Sequence, residues 1–546
     1  MKPRTGIDRR TLFRYGAATT ALAASRPTGR SAGASPRAPD SPPVLAFELD
    51  ELTVADLQKR MESGVESARS LAEKYLARID LLDRRGPQPL RSVLEINPDA
   101  LAIAEKLDQE RKAGRARGPL HGIPVLLKDN IGTSDRMTTT AGSLALEGSI
   151  PSQDSFVAKK LREAGAVLVG KTNLSEWANI RSTHSTSGWS ARGGQCRNPY
   201  ALDRNPSGSS SGSGVAVAAN FCAVAVGTET DGSIVSPSNN CGLVGIKPTL
   251  GLVSRAGVVP IAHSQDTPGP MCRTVADAAI LLSALAGPDP SDAATRSAGE
   301  RGAADYTRFL DPNALKGARI GVPRKVLFGQ NPAADRLVEA ALAEMKKQGA
   351  VLVDPADVET AGDLEKSELE VLLYELKADL NAYLASLPIA RVKTLKDVID
   401  FNEKNRDREM PYFGQELFER AQKKGPLTDK PYRDALEKNL RLSRKEGIDK
   451  TMDKHRLDAL VAPTSSPATL IDLVNGDYGV NGSSTVPAVA GYPDITVPAG
   501  FERGLPVGIS FFGRAWSEGK LIAIAYAFEQ ATRHRRPPQF LATVEM

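Results

Sequence analysis

Short apolar runs alternate with amphipathic segments along most of this chain of 546 residues. GIPVLLKDN and AVLVGKTN have the composition of buried strands, and the helical pattern DSFVAKKLREAG lies between them. The same alternation returns in ARIGVP, PAADRLVEAALAEMKKQG and AVLVD. Strands that alternate with helices are typical of a sheet covered by helices, so the sequence predicts an α/β fold.

The rest of the chain continues this organisation. Helical spacing of apolar residues is present over 53–83 and 99–113, and the charged stretch 360–450 is mostly helical in pattern. LDALVAPTS, ITVPAG and VGISFFG predict further strands, and GKLIAIAYAFEQATRHRRPP predicts a last helix. No linker interrupts the chain after residue 45, so one large domain over 46–546 is favoured over two.

The first 40 residues differ in charge from the remainder, with eight Lys or Arg and only two Asp. The pair Arg9-Arg10 precedes a short run rich in Ala and Leu, a pattern typical of a twin-arginine export signal over residues 1–25. A disordered basic tail is the alternative. Residues 26–45 are rich in Pro, Gly and Ser and predict a linker. We therefore expect a periplasmic or secreted protein.

Composition narrows the possible partners. The chain carries a net charge of +5, and that basic start carries about +6, so the remainder of the chain is close to −1. A nearly neutral body gives no electrostatic case for binding nucleic acid or for stable membrane association after export. Four cysteines match no metal-binding spacing and are too few for a disulfide framework. The sequence leaves the oligomeric state open.

A Gly-Ser loop, GSSSGSG at 208–214, stands between segments that must be buried, which argues against a flexible linker. No lysine follows Gly212 as a phosphate-binding loop requires, and no third glycine completes a dinucleotide motif. We therefore expect neither a nucleotide nor another cofactor, and no metal.

The same loop contains GxSxG with Ser210 in the centre, the motif of the nucleophile elbow in Ser-His-Asp hydrolases. That elbow needs a strand directly before it, and NPYALDRNPS is a poor central strand because of its two prolines. The partner histidine would be His263, His455 or His534. A Ser-His-Asp esterase using Ser210 remains the alternative function.

A lysine can replace histidine as the base when burial lowers its pKa. Lys128 and Lys171 each end an apolar strand, and the residues alone do not choose between them. A second Gly-Ser turn, Gly232-Ser233 in GTETDGSIVSP, supplies another serine. Two serines and a neutral lysine can pass a proton from the attacking hydroxyl to the amine.

These parts occur together in GSSSGSGVAVAANFCAVAVGTETDGSIVSP, with LLKDN upstream and GIKPT downstream. In this the chain resembles the amidase signature family over about residues 50–540. Ser209 and Ser233 are 24 residues apart, the spacing of the two catalytic serines in that family. The resemblance implies a mixed sheet covered by helices, with a signature core at about 120–275 and a helix-rich insertion at about 300–450.

The resemblance also implies roles for particular residues. Ser233 would be the nucleophile, Ser209 the bridging serine after a cis peptide bond, and Lys128 the base. An oxyanion hole would be formed by backbone N–H groups of the turn, namely those of Thr230, Asp231, Gly232 and Ser233.

Four stretches are similar to the peptide amidase branch of the family, namely GKTNLSEWAN, GWSARGGQ, SQDTPGPM and GRAWSE. That branch converts the C-terminal amide of peptides to the acid and ammonia. Amidases of aryl or aliphatic amides are the alternative within the family. An amidotransferase component with partner chains fits an export signal poorly, and a non-catalytic binder would not need the complete site. Val235 stands where relatives acting on small acidic amides have arginine, so we expect Val235 to present an apolar surface to neutral peptide or small-molecule carboxamides. The alternative is that Val235 belongs to the core and that another cation binds a substrate carboxylate.

Overall fold

The computed structural model describes residues 46–478 and 482–544. The predicted export signal over 1–25 and linker over 26–45 lie outside these ranges. Among the helices of the described ranges, none has both the length and the apolar character needed to cross a bilayer.

One mixed sheet organises the molecule. Its strands and a separate two-stranded hairpin, β4 with β5, have the following bounds: β1 (Val93–Ile96), β2 (Pro124–Lys128), β3 (Val167–Thr172), β4 (Trp189–Ser190), β5 (Gly194–Gln195), β6 (Val224–Glu229), β7 (Val244–Lys247), β8 (Thr267–Cys272), β9 (Arg319–Gly321), β10 (Val351–Val353), β11 (Ala459–Pro463), β12 (Asp494–Glu502) and β13 (Leu505–Phe512). The 11-stranded sheet has the order β1-β3-β2-β6-β8-β7-β12-β13-β11-β9-β10.

Helices flank this sheet and supply most of the connections. They are α1 (Val54–Glu62), α2 (Ala68–Arg78), α3 (Ala100–Lys112), α4 (Phe156–Glu163), α5 (Ser211–Ala218), α6 (Val235–Asn240), α7 (Val275–Leu285), α8 (Ala298–Arg301), α9 (Pro332–Lys347), α10 (Glu365–Ser386), α11 (Leu395–Lys404), α12 (Arg406–Glu409), α13 (Glu416–Gln422), α14 (Lys430–Leu440), α15 (Asp449–His455), α16 (Thr485–Ala490) and α17 (Glu518–Thr532). The protein is thus a single α/β domain, as the alternation of the sequence predicted.

The centre of the sheet is parallel where the functional segments lie. Strand β2 pairs in parallel with β3 on one side and with β6 on the other. Leu127 of β2 lies opposite Val226 of β6, so the carboxyl ends of the two strands reach the same edge. All residues of β2, β3 and β6 are buried, because helices cover both faces of this part of the sheet.

The helical pattern over 53–83 is confirmed, although the segment is not one continuous helix. The segment forms two helices, α1 and α2, and a π-helical turn at Ile79–Arg84. Gly64 between the helices has φ of 75°, a left-handed conformation that ends α1 and that glycine adopts without a steric penalty. The side chain of Ser67 then accepts a hydrogen bond from the Ser70 N–H and begins α2.

Helix α10 packs toward the centre of the molecule. Its residues Leu373, Leu376 and Leu380 share an apolar cluster with Trp177 and Ile261, which belong to loops beside the sheet edge. The charged stretch at 360–450 therefore contributes buried apolar surface close to the carboxyl ends of β2 and β6. All four cysteines are buried and free of disulfides.

Candidate active site

The Gly-Ser loop is a buried connection that runs directly into α5. Its Gly208–Ser209 peptide bond is cis, as the family resemblance implied. A Cβ atom at position 208 would lie 2.2 Å from the Ser175 hydroxyl oxygen, so only glycine fits there. The carbonyl of Ser209 accepts the N–H of Ser175, which fixes the loop to the segment after β3.

Lys128 is the last residue of β2, and its side chain is fully buried. Its Nζ lies 2.8 Å from Ser209 Oγ, 2.9 Å from Thr228 Oγ1 and 3.2 Å from the Thr228 carbonyl oxygen. Burial lowers the pKa of Lys128 to about 7, although the charges of Asp266 and Glu229 act in the opposite direction. A neutral amine can donate both of its N–H groups to Thr228, which leaves its lone pair for the Ser209 hydroxyl.

The second Gly-Ser turn connects β6 to α6. Glu229 Oε2 accepts the N–H groups of Ile234 at 2.8 Å and Val235 at 3.1 Å, and so orders the start of the helix. Gly232 has φ of 74°, and a Cβ atom there would approach Ser484 Oγ to 2.9 Å. Glycine is therefore required for this turn.

The backbone N–H groups of the turn point away from the regular ladders. Within the described part of the chain, none of the four from Thr230 to Ser233 donates to a protein acceptor. Four unpaired donors on consecutive residues are the arrangement from which an oxyanion hole is built.

Ser233 lies on the wall of a cavity of about 380 Å³ and is 8% exposed. Its hydroxyl forms no hydrogen bond with the residues that the structure describes. Its carbonyl accepts the Ser210 N–H at 3.2 Å, which joins the second Gly-Ser turn to the first. The structure thus brings Lys128, Ser209 and Ser233 to one edge of the sheet.

Lys171 occupies a different environment. Its Nζ donates to the Ile131 carbonyl at 2.7 Å and to Thr139 Oγ1 at 2.8 Å. Burial lowers the pKa of Lys171 to about 8, so its chemistry resembles that of Lys128. Its partners differ, however, because neither of them is a serine of the two Gly-Ser turns.

Ser210 is unsuited to be an elbow nucleophile. Its hydroxyl donates to the Thr228 carbonyl at 3.0 Å and accepts the Thr228 N–H at 3.2 Å, and the side chain is fully buried. No strand directly precedes it, and no described histidine contacts its oxygen. His263 is paired instead with Asp379 at 2.8 Å.

Two acidic side chains line the cavity beside Ser233. Asp231 and Asp477 line it, with apolar surface from Ile261 and Leu372, and no Lys, Arg or His is among its described lining residues. Asp231 accepts hydroxyl groups from Ser484 at 2.6 Å and from Thr485 at 2.7 Å. Burial raises the pKa of Asp477, which accepts the Ser187 N–H and the Asn205 amide and forms no ion pair with a residue that the structure describes.

Val235 does not face this cavity. It is the first residue of α6 and is fully buried. The expectation that Val235 presents an apolar surface to the substrate is therefore wrong, because the helix that Glu229 begins turns this side chain into the protein interior.

A profile of the family described as Amidase matches residues 70–522. The chain belongs to this family. It is an amidase, a hydrolase of amide bonds, and the resemblance seen in its Gly-Ser turns is confirmed.

Individual relatives cover nearly all of this amidase. A probable amidase of Arabidopsis thaliana is 44% identical over 505 residues, covering 91% of this chain and 93% of that protein. One component of the glutamyl-tRNA(Gln) amidotransferase of Microcystis aeruginosa is 37% identical over 507 residues, 89% of this chain and 99% of that one. The crystal structure of native peptide amidase from Stenotrophomonas maltophilia is 51% identical, with a TM-score of 0.87, and covers 91% of this chain and 100% of that chain.

Several residues around the site were not found by sequence reasoning. Thr228 contacts both Lys128 and Ser210, and Glu229 orders the turn, yet each looks like an ordinary strand residue in the sequence. Asp477 and Ser484 reach the cavity from a segment with no recognisable motif. Asp266 stands in SQDTPGPM, a signal that pointed to a family branch but to no role.

Proposed function

We propose that this amidase hydrolyses carboxamides to carboxylic acids and ammonia, with Ser233 as nucleophile, Ser209 as proton relay and Lys128 as base. The observation that carries this proposal is the buried Lys128 amine, 2.8 Å from Ser209 Oγ and with a pKa of about 7. An amine that is neutral near pH 7 can accept a proton, whereas an ordinary lysine with a pKa of about 10.4 cannot.

In the acylation step, Lys128 takes the proton of Ser209, and Ser209 takes the proton of Ser233. The Ser233 oxygen forms a bond to the carboxamide carbon, and the carbonyl electron pair moves onto oxygen. The N–H groups of residues 230–233 stabilise this oxyanion, and a donor of this kind is worth about 10²–10³ in rate. The C–N bond then breaks, and the nitrogen leaves as ammonia with the proton returned from Lys128 through Ser209.

Deacylation repeats the proton transfers with water. A water molecule loses a proton to the same relay and attacks the acyl carbon, the bond to Ser233 breaks, and its oxygen regains a proton. The product is the free acid. Proton transfer by a positioned base contributes about 10²–10⁴ in rate, so each member of the relay matters separately.

The substrates that we propose are neutral carboxamides, in particular the C-terminal amide of peptides. Solved relatives described as peptide amidase are 51% and 52% identical to this chain, and one of them is a complex with the competitive inhibitor chymostatin. The carboxylates of Asp231 and Asp477 line the cavity without a cation among the described lining residues. A substrate carboxylate there would meet charge of its own sign and would lose hydration without gaining a partner.

The direct test is mass spectrometry of a peptide amide incubated with the purified protein. Conversion to the free acid is expected, and Ser233→Ala, prepared in the same way, provides the inactive control. An unchanged peptide amide, together with hydrolysis of aryl or aliphatic amides, would transfer the assignment to that class of amidase.

Malonamate and malonamide provide a matched pair for the charge argument, since one carries a carboxylate where the other carries a second carboxamide. We expect kcat/KM to be lower for malonamate by at least about tenfold. Equal values would mean that the cavity does not exclude anions, and the substrate proposal would be withdrawn while the roles of Lys128, Ser209 and Ser233 would stand.

We also propose that the protein is exported by the twin-arginine route and acts in the periplasm or outside the cell. Support comes from the Arg9-Arg10 pair and from the apolar run that follows it in the sequence.

A further inference from the structure

Thr230, the first residue of the proposed oxyanion turn, is held by two residues of the motif SQDTPGPM. Strands β6 and β8 are antiparallel, and their last pair is Glu229 with Thr267. The next residues outward along the two strands are Thr230 and Asp266. Thr230 Oγ1 donates to Asp266 Oδ1 at 2.6 Å, and the Thr230 carbonyl accepts from Gln265 Nε2 at 3.2 Å.

The second oxygen of the Asp266 carboxylate faces the wall of the substrate cavity. Oδ2 accepts the N–H groups of Ile261 at 2.8 Å and Ala262 at 2.9 Å. Ile261 lines the cavity that contains Ser233. One carboxylate therefore connects the turn on one side with the cavity wall on the other.

Asp266 is also close to the groups that surround Lys128. Asn130, Thr228, Thr230 and Asp266 line one small space of about 10 Å³. Thr228 Oγ1 accepts from Lys128 Nζ and from Asn130 Nδ2, both at 2.9 Å. The lysine amine thus contacts a threonine that lines the same small space as the carboxylate, and Arg255 also lines that space.

We propose that Asp266 is a positioning residue of this active site: its carboxylate holds the Thr230 turn against the cavity wall, and its charge acts on Lys128. The proposal rests on the function proposed above, because it assigns Lys128 the role of base.

The negative charge of Asp266 raises the pKa of Lys128. Burial lowers the pKa of Lys128, and Asp266 is the larger of two negative charges that raise it, the other being Glu229. Burial raises the pKa of Asp266 itself to about 6, and Arg255, which pairs with Asp292, acts in the opposite direction. Above pH 6 the carboxylate is charged, so it keeps the lysine basic enough to accept a proton near neutral pH.

Two variants separate the charge from the hydrogen bond. Asp266→Asn removes the charge and keeps an amide oxygen that can accept the Thr230 hydroxyl. Its NH2 group would face the N–H groups of Ile261 and Ala262, so kcat/KM should fall by at least about tenfold, and its rise with pH should move to lower pH by about one unit. Thr230→Val removes the hydrogen bond and leaves the charge, so kcat/KM should fall while the midpoint of the pH profile stays in place. Thr230→Ser keeps the hydroxyl and should restore the activity.

Asp379→Asn is the matched control for removal of a carboxylate. Asp379 lies on α10, outside the proposed relay, and accepts a hydrogen bond from His263. His263 is three residues before Asp266 in the sequence. This variant should leave the midpoint where it is in the wild-type protein. If Asp266→Asn is recovered unfolded, Asp266→Ser removes the same charge, retains a hydroxyl acceptor and is measured instead.

The outcomes distinguish the two proposals. If kcat/KM of the wild-type protein does not rise with pH, or if Lys128→Met retains the same rise, the lysine base itself is refuted. With that rise present, an unmoved midpoint in Asp266→Asn, or a midpoint that moves equally in Thr230→Val, would overturn the role of Asp266 and leave the proposed function intact.

Discussion

The pH dependence of kcat/KM tests the lysine base most directly, because its midpoint follows from the burial of one side chain. With a pKa of about 7, Lys128 is neutral in about 10% of molecules at pH 6, and below pH 6 the protonation of Asp266 makes the further decline shallower. The neutral amine is the form that accepts a proton. We therefore expect kcat/KM to rise about fivefold between pH 6 and pH 7 and to level off above pH 8.

The assay measures initial rates of ammonia release from one peptide amide between pH 5 and pH 9, at substrate concentrations well below KM. Under these conditions the profile reports groups of the free enzyme. Because the relay is coupled, the midpoint belongs to Lys128 and Ser209 together. Circular dichroism at each pH excludes loss of the fold as the cause of the decline.

Histidine is the competing explanation, since its ordinary pKa of about 6.5 lies in the same range. His263 needs the closest control because its hydrogen bond to Asp379 raises its pKa toward the expected midpoint. His263→Gln should retain the rise, and so should single replacements of the other four histidines. A rise that disappears in any histidine variant, or a midpoint near the ordinary lysine value of about 10.4, would refute the reasoning.

Three further predictions concern the relay, stability and export. Ser209→Ala should lower kcat by about 10²–10⁴, and Ser210→Ala should lower it less, because the Ser210 hydroxyl bonds to the backbone of Thr228 and not to Lys128; equal losses would return Ser210 to consideration. Lys128→Met should raise the free energy of unfolding at pH 7 by up to about 5 kcal/mol, because burial disfavours the protonated amine; this gain should shrink as pH rises from 7 toward 10, and urea denaturation at two pH values checks the sign. Arg9→Lys with Arg10→Lys should retain the precursor in the cytoplasm, and unchanged export on fractionation would exclude the twin-arginine route.

The sequence by itself determined the fold class and the chemistry-bearing turns. Apolar runs of strand length alternate with helical patterns, and these local patterns predict buried strands and covering helices. The prediction does not depend on the order of the strands in the sheet. The two Gly-Ser turns are visible in the sequence, whereas the contacts that exclude a side chain at Gly208 and Gly232 come from the distant residues Ser175 and Ser484. Together with the family spacing of Ser209 and Ser233, these patterns were enough to predict the amidase fold.

Only the tertiary structure decided which lysine meets a serine. Lys128 and Lys171 lie near the ends of adjacent parallel strands with the same burial and similarly lowered pKa values, so no local signal separates them. The sheet order places β2 beside β6, and the register then brings Lys128 to Thr228, 100 residues away in the sequence. Strand β3 lies on the far side of β2, next to β1, so Lys171 is one strand further from the turn.

Tertiary packing also explains why the positions of Val235 and Asp266 were not predicted correctly from the sequence. Val235 was expected to face the substrate because of its sequence distance from Ser233, and the direction of α6 buries it instead. Asp266 had no visible role until the pairing of β6 with β8 brought it to Thr230. Sequence patterns specify which residues are buried and where the chain turns, whereas strand order and register depend on packing between distant segments, and these decide which buried polar groups become partners.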